Sequence, residues 1–206
     1  DSSLAGIPAH FQDALHYQGA LWGVPFQAQA YIIYYNRELF DAAGEPYPQP
    51  GWTLDGFLAT AQRLTRGSGD AQQWGYLPQT APAEDLRVFL AVQGVALWDA
   101  DGRPRFDAPE VVTAIARYTD LAIKHRVMPV FAQDFADYQY ATSQHQKALI
   151  SQGQVAMWSN YTGQQYGVAG VRAGMAPLPV NQHGHGTAVF RYEGLFVASE
   201  TPHREV

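Results

Sequence analysis

The chain has no cysteine among its 206 residues, and only 16% of those residues are charged. The absence of cysteine excludes disulfides, thiolate nucleophiles and cysteine-ligated metal sites. No apolar run approaches the roughly 18 residues that a membrane-spanning helix requires, and the first residues lack the basic and then apolar pattern of a signal peptide. Hydrophobic residues make up 47% of the chain, so we expect a folded protein with a large core.

Positive charge is also scarce, and it is not gathered into a basic stripe. Thirteen Lys and Arg stand against nineteen Asp and Glu, which gives a formal net charge of −6. Nucleic-acid binding depends on cations that neutralise phosphates. We therefore expect no nucleic-acid partner.

Signatures of catalysis and of metal binding are missing as well. The sequence has no Gly-x-Ser-x-Gly elbow, no phosphate-binding loop, no dinucleotide-binding glycine pattern and no His-Glu-x-x-His, so we expect no catalytic residue and no cofactor. His183 and His185 could share a metal ion, but a third ligand is not obvious nearby, and we expect no metal site. We interpret the segment from Asp99 to Gly102 as a hairpin turn rather than a calcium loop.

Helical and strand patterns alternate along most of the chain, which predicts an α/β fold with a mixed sheet flanked by helices. We expect N-caps at Asn36, Thr53 and Asp107, and Glu110 occupies the capping-box position after Asp107. The predicted helices cover residues 7–17, 36–43, 53–64, 86–93, 107–124, 143–152 and 160–166, with a last one opening near residue 201. The predicted strands cover residues 21–26, 31–35, 74–77, 155–159, 174–179 and 187–198.

Two strand segments are interrupted by polar residues, and we interpret both interruptions as hinge crossings. Gln27 and Gln29 separate the apolar segments 21–26 and 31–35. Arg191, Tyr192 and Glu193 interrupt a second apolar strand, where buried polar groups without partners would be costly. If the two segments are neighbours in space, these side chains lie at a wet cleft between two packed units.

Aromatic residues are abundant, with five Trp and twelve Tyr. We expect Tyr34, Tyr35 and Trp158 to lie in the core because they stand in apolar strands. Tyr161 differs, because it follows Asn160 at the carboxyl end of a strand. Ligands collect at that edge in open α/β sheets, so we expect Tyr161 to line a site.

The order of several short motifs resembles a known family. The motifs are the segments from Trp22 to Phe26 and from Tyr34 to Phe40, Gly51-Trp52-Thr53, Gln152-Gly153-Gln154, and Glu193-Gly194-Leu195-Phe196. Together they are similar to the carbohydrate-binding family of extracellular solute-binding proteins of ABC transporters, which includes maltose-binding protein. The resemblance covers nearly the whole chain.

This resemblance implies a lobe of the periplasmic-binding-protein type (type II) with hinge strands, and a chain that is a second-lobe fragment. Residues 1–28 would end the first lobe and make the first crossing, residues 29–188 would form the ligand-binding second lobe, and residues 189–206 would make the second crossing and return. By position in the family, Gln29, Gln79, Thr80 and Tyr161 would fall in the ligand cleft. The predicted ligand-binding set is Gln27, Gln29, Gln79, Thr80, Asn160, Tyr161, Arg191, Tyr192 and Glu193.

The function implied is capture of a sugar or oligosaccharide in an inter-lobe cleft, without chemistry, for ABC transporter permease subunits. The protein would be monomeric and periplasmic or extracellular, with a lipid anchor as one form of attachment. Tyrosine stacking faces and amide and carboxylate groups suit a neutral polyol. The alternatives left open are a binding protein of the same fold for a glycerol phosphate, a polyamine or ferric ion, and a glycoside-processing enzyme.

Overall fold

The structure is a computed structural model that describes residues 8–78, 82–130, 138–163 and 170–201. The chain divides into two compact units. We call unit 1 the residues up to Ala30 together with those from Val189 onward, and unit 2 the residues Tyr31–Ala188. The interpretation of these units as parts of two lobes stays a prediction.

Six helices and seven strands are formed by the described residues. The helices are α1 (Ala9–Asp13), α2 (Arg37–Ala43), α3 (Leu54–Leu64), α4 (Pro82–Val92), α5 (Pro109–Ile123) and α6 (Tyr138–Ser151). The strands are β1 (His16–Tyr17), β2 (Ala20–Leu21), β3 (Val24–Asn36), β4 (Trp74–Pro78), β5 (Val155–Tyr161), β6 (Ala173–Ala176) and β7 (Phe190–Leu195).

The sheet of unit 2 is mixed, as predicted. Its strand order is β4-β5-β3-β6. β4 and β5 are parallel, whereas β3 is antiparallel to both β5 and β6. The second half of β3 supplies this central strand, and Tyr31 lies opposite Tyr161 in the register. The carboxyl ends of β4 and β5 therefore lie at one edge, and the carboxyl end of β3 lies at the opposite edge.

Helix capping follows the sequence prediction at two positions and departs from it at a third. The Asn36 side chain accepts the N–H groups of Glu38 and Leu39, and Thr53 accepts the N–H of Gly56. Asp107 is not a cap, because α5 begins at Pro109 after an Ala108 N-cap that makes no side-chain bond. A helix that starts with proline has one N–H fewer to satisfy.

The core of unit 2 is built on stacked aromatics from neighbouring strands. Tyr34 and Trp158 lie opposite each other in the register, and their rings stack with centroids 5.8 Å apart. Both side chains are buried, as is Tyr35, which confirms the expected core positions. α3 packs closely on β4 at Gly75, where an added Cβ would lie 2.0 Å from the carbonyl oxygen of Ala61.

Unit 1 is a strand ribbon with a short helix and a hairpin. The first half of β3 pairs with β7 in antiparallel register from Val24 with Leu195 to Ala30 with Phe190. β1 and β2 form a hairpin whose two turn residues, Gln18 and Gly19, both have positive φ, which matches the twist of adjoining strands. The predicted helix over residues 7–17 is wrong beyond Asp13, because His16 and Tyr17 belong to β1.

The predicted break between residues 26 and 31 is also wrong, because β3 runs without interruption from Val24 to Asn36. Antiparallel pairing with β7 from Val24 to Ala30 continues the strand through Gln27 and Gln29. The helix predicted from residue 160 is wrong at its start, since β5 continues through Tyr161. Residues 164–166 and the helix expected after residue 201 lie outside the described residues.

The loop from Asp99 to Gly102 is a hairpin turn, as predicted. Trp98 pairs with Pro104 across it. The Asp99 carboxylate accepts the backbone N–H groups of Asp101 at 2.9 Å and Arg103 at 2.8 Å. The Asp99 side chain therefore stabilises the turn.

Candidate functional site

The candidate site of unit 2 lies at the edge where β4 and β5 both end, which we call the carboxyl edge. β4 ends at Pro78 and β5 at Tyr161. α4 begins at Pro82, so its first turn, which carries Glu84 and Asp85, follows β4 after only a short connection. Three elements thus bring polar side chains to one edge of the sheet.

Asp85 is the centre of a buried hydrogen-bond network that the sequence did not reveal. Its side chain is 2% exposed. Oδ1 accepts the hydroxyl groups of Tyr31 at 2.8 Å, Tyr76 at 2.7 Å and Ser159 at 2.7 Å, and Oδ2 accepts that of Tyr118 at 2.9 Å. The donors come from β3, β4, β5 and α5, so one carboxylate ties α4 to four other elements.

Hydroxyl dipoles, rather than a cation, stabilise this carboxylate. Among the described residues the ion pairs are Arg63–Glu45, Arg103–Asp101 and Arg105–Glu110, and none includes Asp85. A buried carboxylate must receive hydrogen bonds to remain tolerable in the interior. Burial raises the pKa of Tyr76 well above its usual range, and the negative charge of Asp85 raises that pKa further. The phenol therefore stays protonated and continues to donate.

Glu84, the neighbouring acid, lies beside Tyr161. The Tyr161 hydroxyl donates to Glu84 Oε1 at 2.6 Å. The Tyr161 ring is buried and packs edge-on against Tyr31, with centroids 5.0 Å apart, while Glu84 is partly exposed. Sequence reasoning missed both acids, because acidic residues at a helix start have a sufficient local explanation in the helix dipole.

The predicted site residues of unit 2 are only partly described. Asn160 is partly exposed at the carboxyl edge, and its Oδ1 accepts the backbone N–H of Tyr161 at 2.8 Å. Tyr161 reaches the edge with its hydroxyl and not with an open ring face, because the side chain is 2% exposed. Gln79 and Thr80 lie outside the described residues. The ligand-binding role of these four residues stays a prediction.

The remaining predicted residues lie together on the β3–β7 ribbon of unit 1. Gln27 is opposite Glu193, and Gln29 is opposite Arg191. Directly opposed residues of an antiparallel pair project from the same face, so these four polar side chains share one face of the ribbon. Gln29 is buried, and the other three are exposed. The two polar interruptions are therefore neighbours in space, as the crossing interpretation requires, and their role in ligand binding stays a prediction.

Tyr192 lies on the other face of this ribbon. Its ring packs edge-on against Phe11 at 5.2 Å between centroids and stacks on Phe190 at 6.1 Å. Alternate residues of a strand point to opposite faces, which separates Tyr192 from Arg191 and Glu193. The predicted set of unit 1 is thus divided into a polar face and an aromatic face.

Described residues of unit 2 line a larger hollow and a smaller one. One of about 380 Å³ lies among α3, α4, α5 and the loop at Asn181, with Arg117, Lys124, Asp55 and Asp120 among its lining residues. It includes none of the predicted site residues. The other, of about 20 Å³, is lined by Tyr31, Tyr76, Asp85 and Ser159 together with apolar side chains. A space of that size with polar partners holds about one water molecule.

No metal centre is formed within the described ranges, where no group of three or more His, Asp or Glu side chains comes together. His183 and His185 are exposed, and their ring centroids are 6.5 Å apart. In the same part of the chain, no helix is both long and apolar enough to cross a bilayer.

Comparison with known proteins gives matches to one family. Residues 6–206 match the model of the bacterial extracellular solute-binding proteins. Over 75 residues the chain is 37% identical to the mannitol-binding protein of Pseudomonas aeruginosa, a match that covers 31% of this chain and 17% of that protein.

Solved structures share the fold. An ABC substrate-binding protein from Listeria monocytogenes in complex with cycloalternan matches with a TM-score of 0.79 at 22% identity, covering 98% of this chain and 49% of that one. UgpB from Mycobacterium tuberculosis in complex with glycerophosphocholine matches with a TM-score of 0.75 at 18% identity, covering 95% of this chain and 47% of that one. The chain spans about half the length of these proteins, and the likeness confirms an α/β fold of the periplasmic-binding-protein type.

Proposed function

The chain belongs to the family of bacterial extracellular solute-binding proteins, and we propose that it binds a sugar or a polyol for an ABC importer. One observation carries this choice of ligand. The carboxyl edge of unit 2 gathers Glu84, Asn160 and the Tyr161 hydroxyl, with the buried Asp85 network beneath them. Carboxylate and amide oxygens accept hydrogen bonds from ligand hydroxyls, and none of these side chains carries a positive charge.

The matched proteins support a hydroxyl-rich ligand. The Pseudomonas aeruginosa relative is a mannitol-binding protein, and the Listeria monocytogenes structure contains cycloalternan. Mannitol is a polyol and cycloalternan is a sugar oligomer, so both present many neutral hydroxyl groups. A site of hydrogen-bond acceptors on a rigid sheet edge fits that chemistry.

The proposed role is binding and delivery without chemistry. The permease subunits of the importer would be the protein partner, and the binding protein would act as a monomer. The family is extracellular by description, so we propose a periplasmic location or a lipid-anchored one on the cell surface. Fractionation of cells that produce the protein distinguishes these two locations.

A second candidate ligand is a glycerol phosphodiester. Arg191 is exposed on the polar face of the β3–β7 ribbon, and guanidinium groups bind phosphate oxygens in a forked geometry. The Mycobacterium tuberculosis protein of the same fold was solved with glycerophosphocholine. We favour the sugar or polyol, because Glu193 lies two residues from Arg191 on the same face of the ribbon. Its carboxylate adds a negative charge to that face.

The test is a thermal-shift screen of the protein in its full natural length. The panel comprises D-mannitol, D-tagatose, maltose, sn-glycerol 3-phosphate, glycerophosphocholine and ferric citrate. A ligand that binds only the folded state raises the midpoint of unfolding. We expect a rise with at least one neutral sugar or polyol and none with the phosphates. A rise with the phosphate compounds alone would contradict the proposal.

A further inference from the structure

We propose that Glu84 is a ligand-binding carboxylate that favours neutral hydroxylated ligands over anions, and that Asp85 is the residue that positions it. This inference rests on the proposed function, since it names a selecting residue of the same site. Glu84 was not among the residues that the sequence predicted, so the carboxyl edge supplies it independently.

The position of Glu84 is fixed from two sides. On one side the Tyr161 hydroxyl donates to its Oε1 at 2.6 Å, and the Tyr161 ring is held by Tyr31 in edge-on packing. On the other side the next residue in the chain, Asp85, is anchored by the hydroxyls of Tyr31, Tyr76, Ser159 and Tyr118. A binding group held within a rigid network keeps its geometry when a ligand arrives.

Adjacent residues on a helix project about 100° apart, so the two acids have different surroundings. Asp85 is directed into the protein and is buried, whereas Glu84 is partly exposed at the edge where β4 and β5 end. Asp85 therefore cannot contact a ligand directly. Glu84 can, because ligands of open α/β sheets bind at the carboxyl ends of strands.

The chemistry of a carboxylate decides which ligand it favours. A carboxylate has two oxygens and accepts more than one donor at a time, so it can bind the hydroxyls of a sugar while Tyr161 donates to it. It repels a phosphate, and the carboxylate of Asp85, the next residue of α4, adds to the negative charge of this region. The next positively charged residue along α4 is Arg87, which is exposed. It forms none of the ion pairs among the described residues, so it does not pair with Glu84 there.

The chain offers a matched control for this carboxylate. Glu38 is also an exposed acid in the first turn of a helix, in this case α2. α2 follows the carboxyl end of β3, which is antiparallel to β5. Glu38 therefore lies toward the opposite edge of the sheet, away from the proposed site.

The experiment compares Glu84→Gln with Glu38→Gln in the protein at its full natural length. Affinities for D-mannitol and for sn-glycerol 3-phosphate are measured by isothermal titration calorimetry. We expect Glu84→Gln to weaken D-mannitol binding at least about tenfold, since hydrogen bonds to a charged group are the strong ones. The ratio of the D-mannitol affinity to the phosphate affinity should fall as well. Glu38→Gln should leave both affinities unchanged.

A second variant keeps the role of Glu84 testable even if Glu84→Gln does not fold. Tyr161→Phe removes only the hydroxyl that orients Glu84, and we expect a smaller, few-fold loss of D-mannitol affinity with the phosphate affinity little changed. Unaltered D-mannitol binding in Glu84→Gln would overturn the role of Glu84 and leave the proposed function intact. A wild type that binds sn-glycerol 3-phosphate more tightly than D-mannitol would overturn both.

Discussion

The paired strands of unit 1 and the sheet of unit 2 differ in how they bury large apolar side chains. In unit 2 the aromatics of the central sheet are enclosed, and Trp158 is 1% exposed, whereas Trp98 and Phe106, outside that sheet, are exposed. In unit 1 Trp22 is 62% exposed and Phe26 is 66% exposed. Trp22 lies between β2 and β3, and Phe26 lies within β3. Tyr17, Leu195, Phe196 and Val197 of unit 1 are exposed as well.

Unit 2 is the unit that is stabilised by a core of its own. Unit 2 buries a closed set of side chains on both faces of a mixed sheet, and burial of apolar area is the main stabilising term of folding. Unit 1 rests on the backbone hydrogen bonds of paired strands, and a two-stranded ribbon alone is marginally stable in water.

The largest expected effect comes from removing the same residue type in each unit. Trp158→Ala should reduce the free energy of unfolding by about 3–5 kcal/mol, because it leaves a cavity against Tyr34. Trp22→Ala should change it by less than about 0.5 kcal/mol, because the Trp22 side chain is largely in water already. Urea unfolding followed by circular dichroism measures both. Losses of similar size in the two variants would break the contrast between the units.

A second pair of variants compares a buried carboxylate with an exposed one. Asp85→Ala removes the acceptor of four hydroxyl groups, and the loss of these buried hydrogen bonds to a carboxylate should cost at least about 2 kcal/mol. Glu193→Ala, on the exposed face of the unit 1 ribbon, should have an effect within about 0.5 kcal/mol. The same urea titration measures the difference. A loss below 1 kcal/mol for Asp85→Ala would show that the network contributes little.

The smallest effect concerns the buried phenol of Tyr76, whose pKa is raised by burial and then by Asp85. The unfolded chain releases this proton near pH 10, whereas the folded protein retains it to higher pH. Above about pH 10 the unfolded state thus binds fewer protons, and stability falls as the pH rises toward the folded pKa.

Tyr76→Phe should therefore lose about 1 kcal/mol less stability than the wild type between pH 9 and pH 11. The measurement is urea unfolding at both pH values, with each variant compared with itself at pH 9. An equal fall in both proteins would contradict the burial-dependent shift.

Much of the fold was predictable where the signal is local, although the local cap predicted at Asp107 is wrong. The period of α3 and the caps at Asn36 and Thr53 depend on neighbouring residues, and the structure confirms them. The resemblance to solute-binding proteins is confirmed by the family match. The predicted break in β3 is wrong, because the strand's pairing with β7, which is distant in sequence, continues it through Gln27 and Gln29.

The candidate site was predictable only in part, because its organising network is not local. Asp85 is bonded by Tyr31 and Ser159, which are 54 and 74 residues away in sequence. No spacing rule links such positions, and they meet only because three strands lie side by side. Glu84 likewise has no sequence signal apart from its place at a helix start. The sequence indicated this edge of the sheet through Asn160 and Tyr161 and could not indicate the network that lies behind it.

We propose above that the carboxyl edge of unit 2 binds a neutral hydroxylated ligand. The most direct test is a crystal structure of the protein at full natural length with D-mannitol, D-tagatose or maltose, whichever gives the largest thermal shift. We predict a ligand hydroxyl within hydrogen-bond distance of the Glu84 carboxylate, about 3 Å. A ligand bound only in the hollow among α3, α4 and α5, which Arg117 and Asp120 line, would contradict the claim.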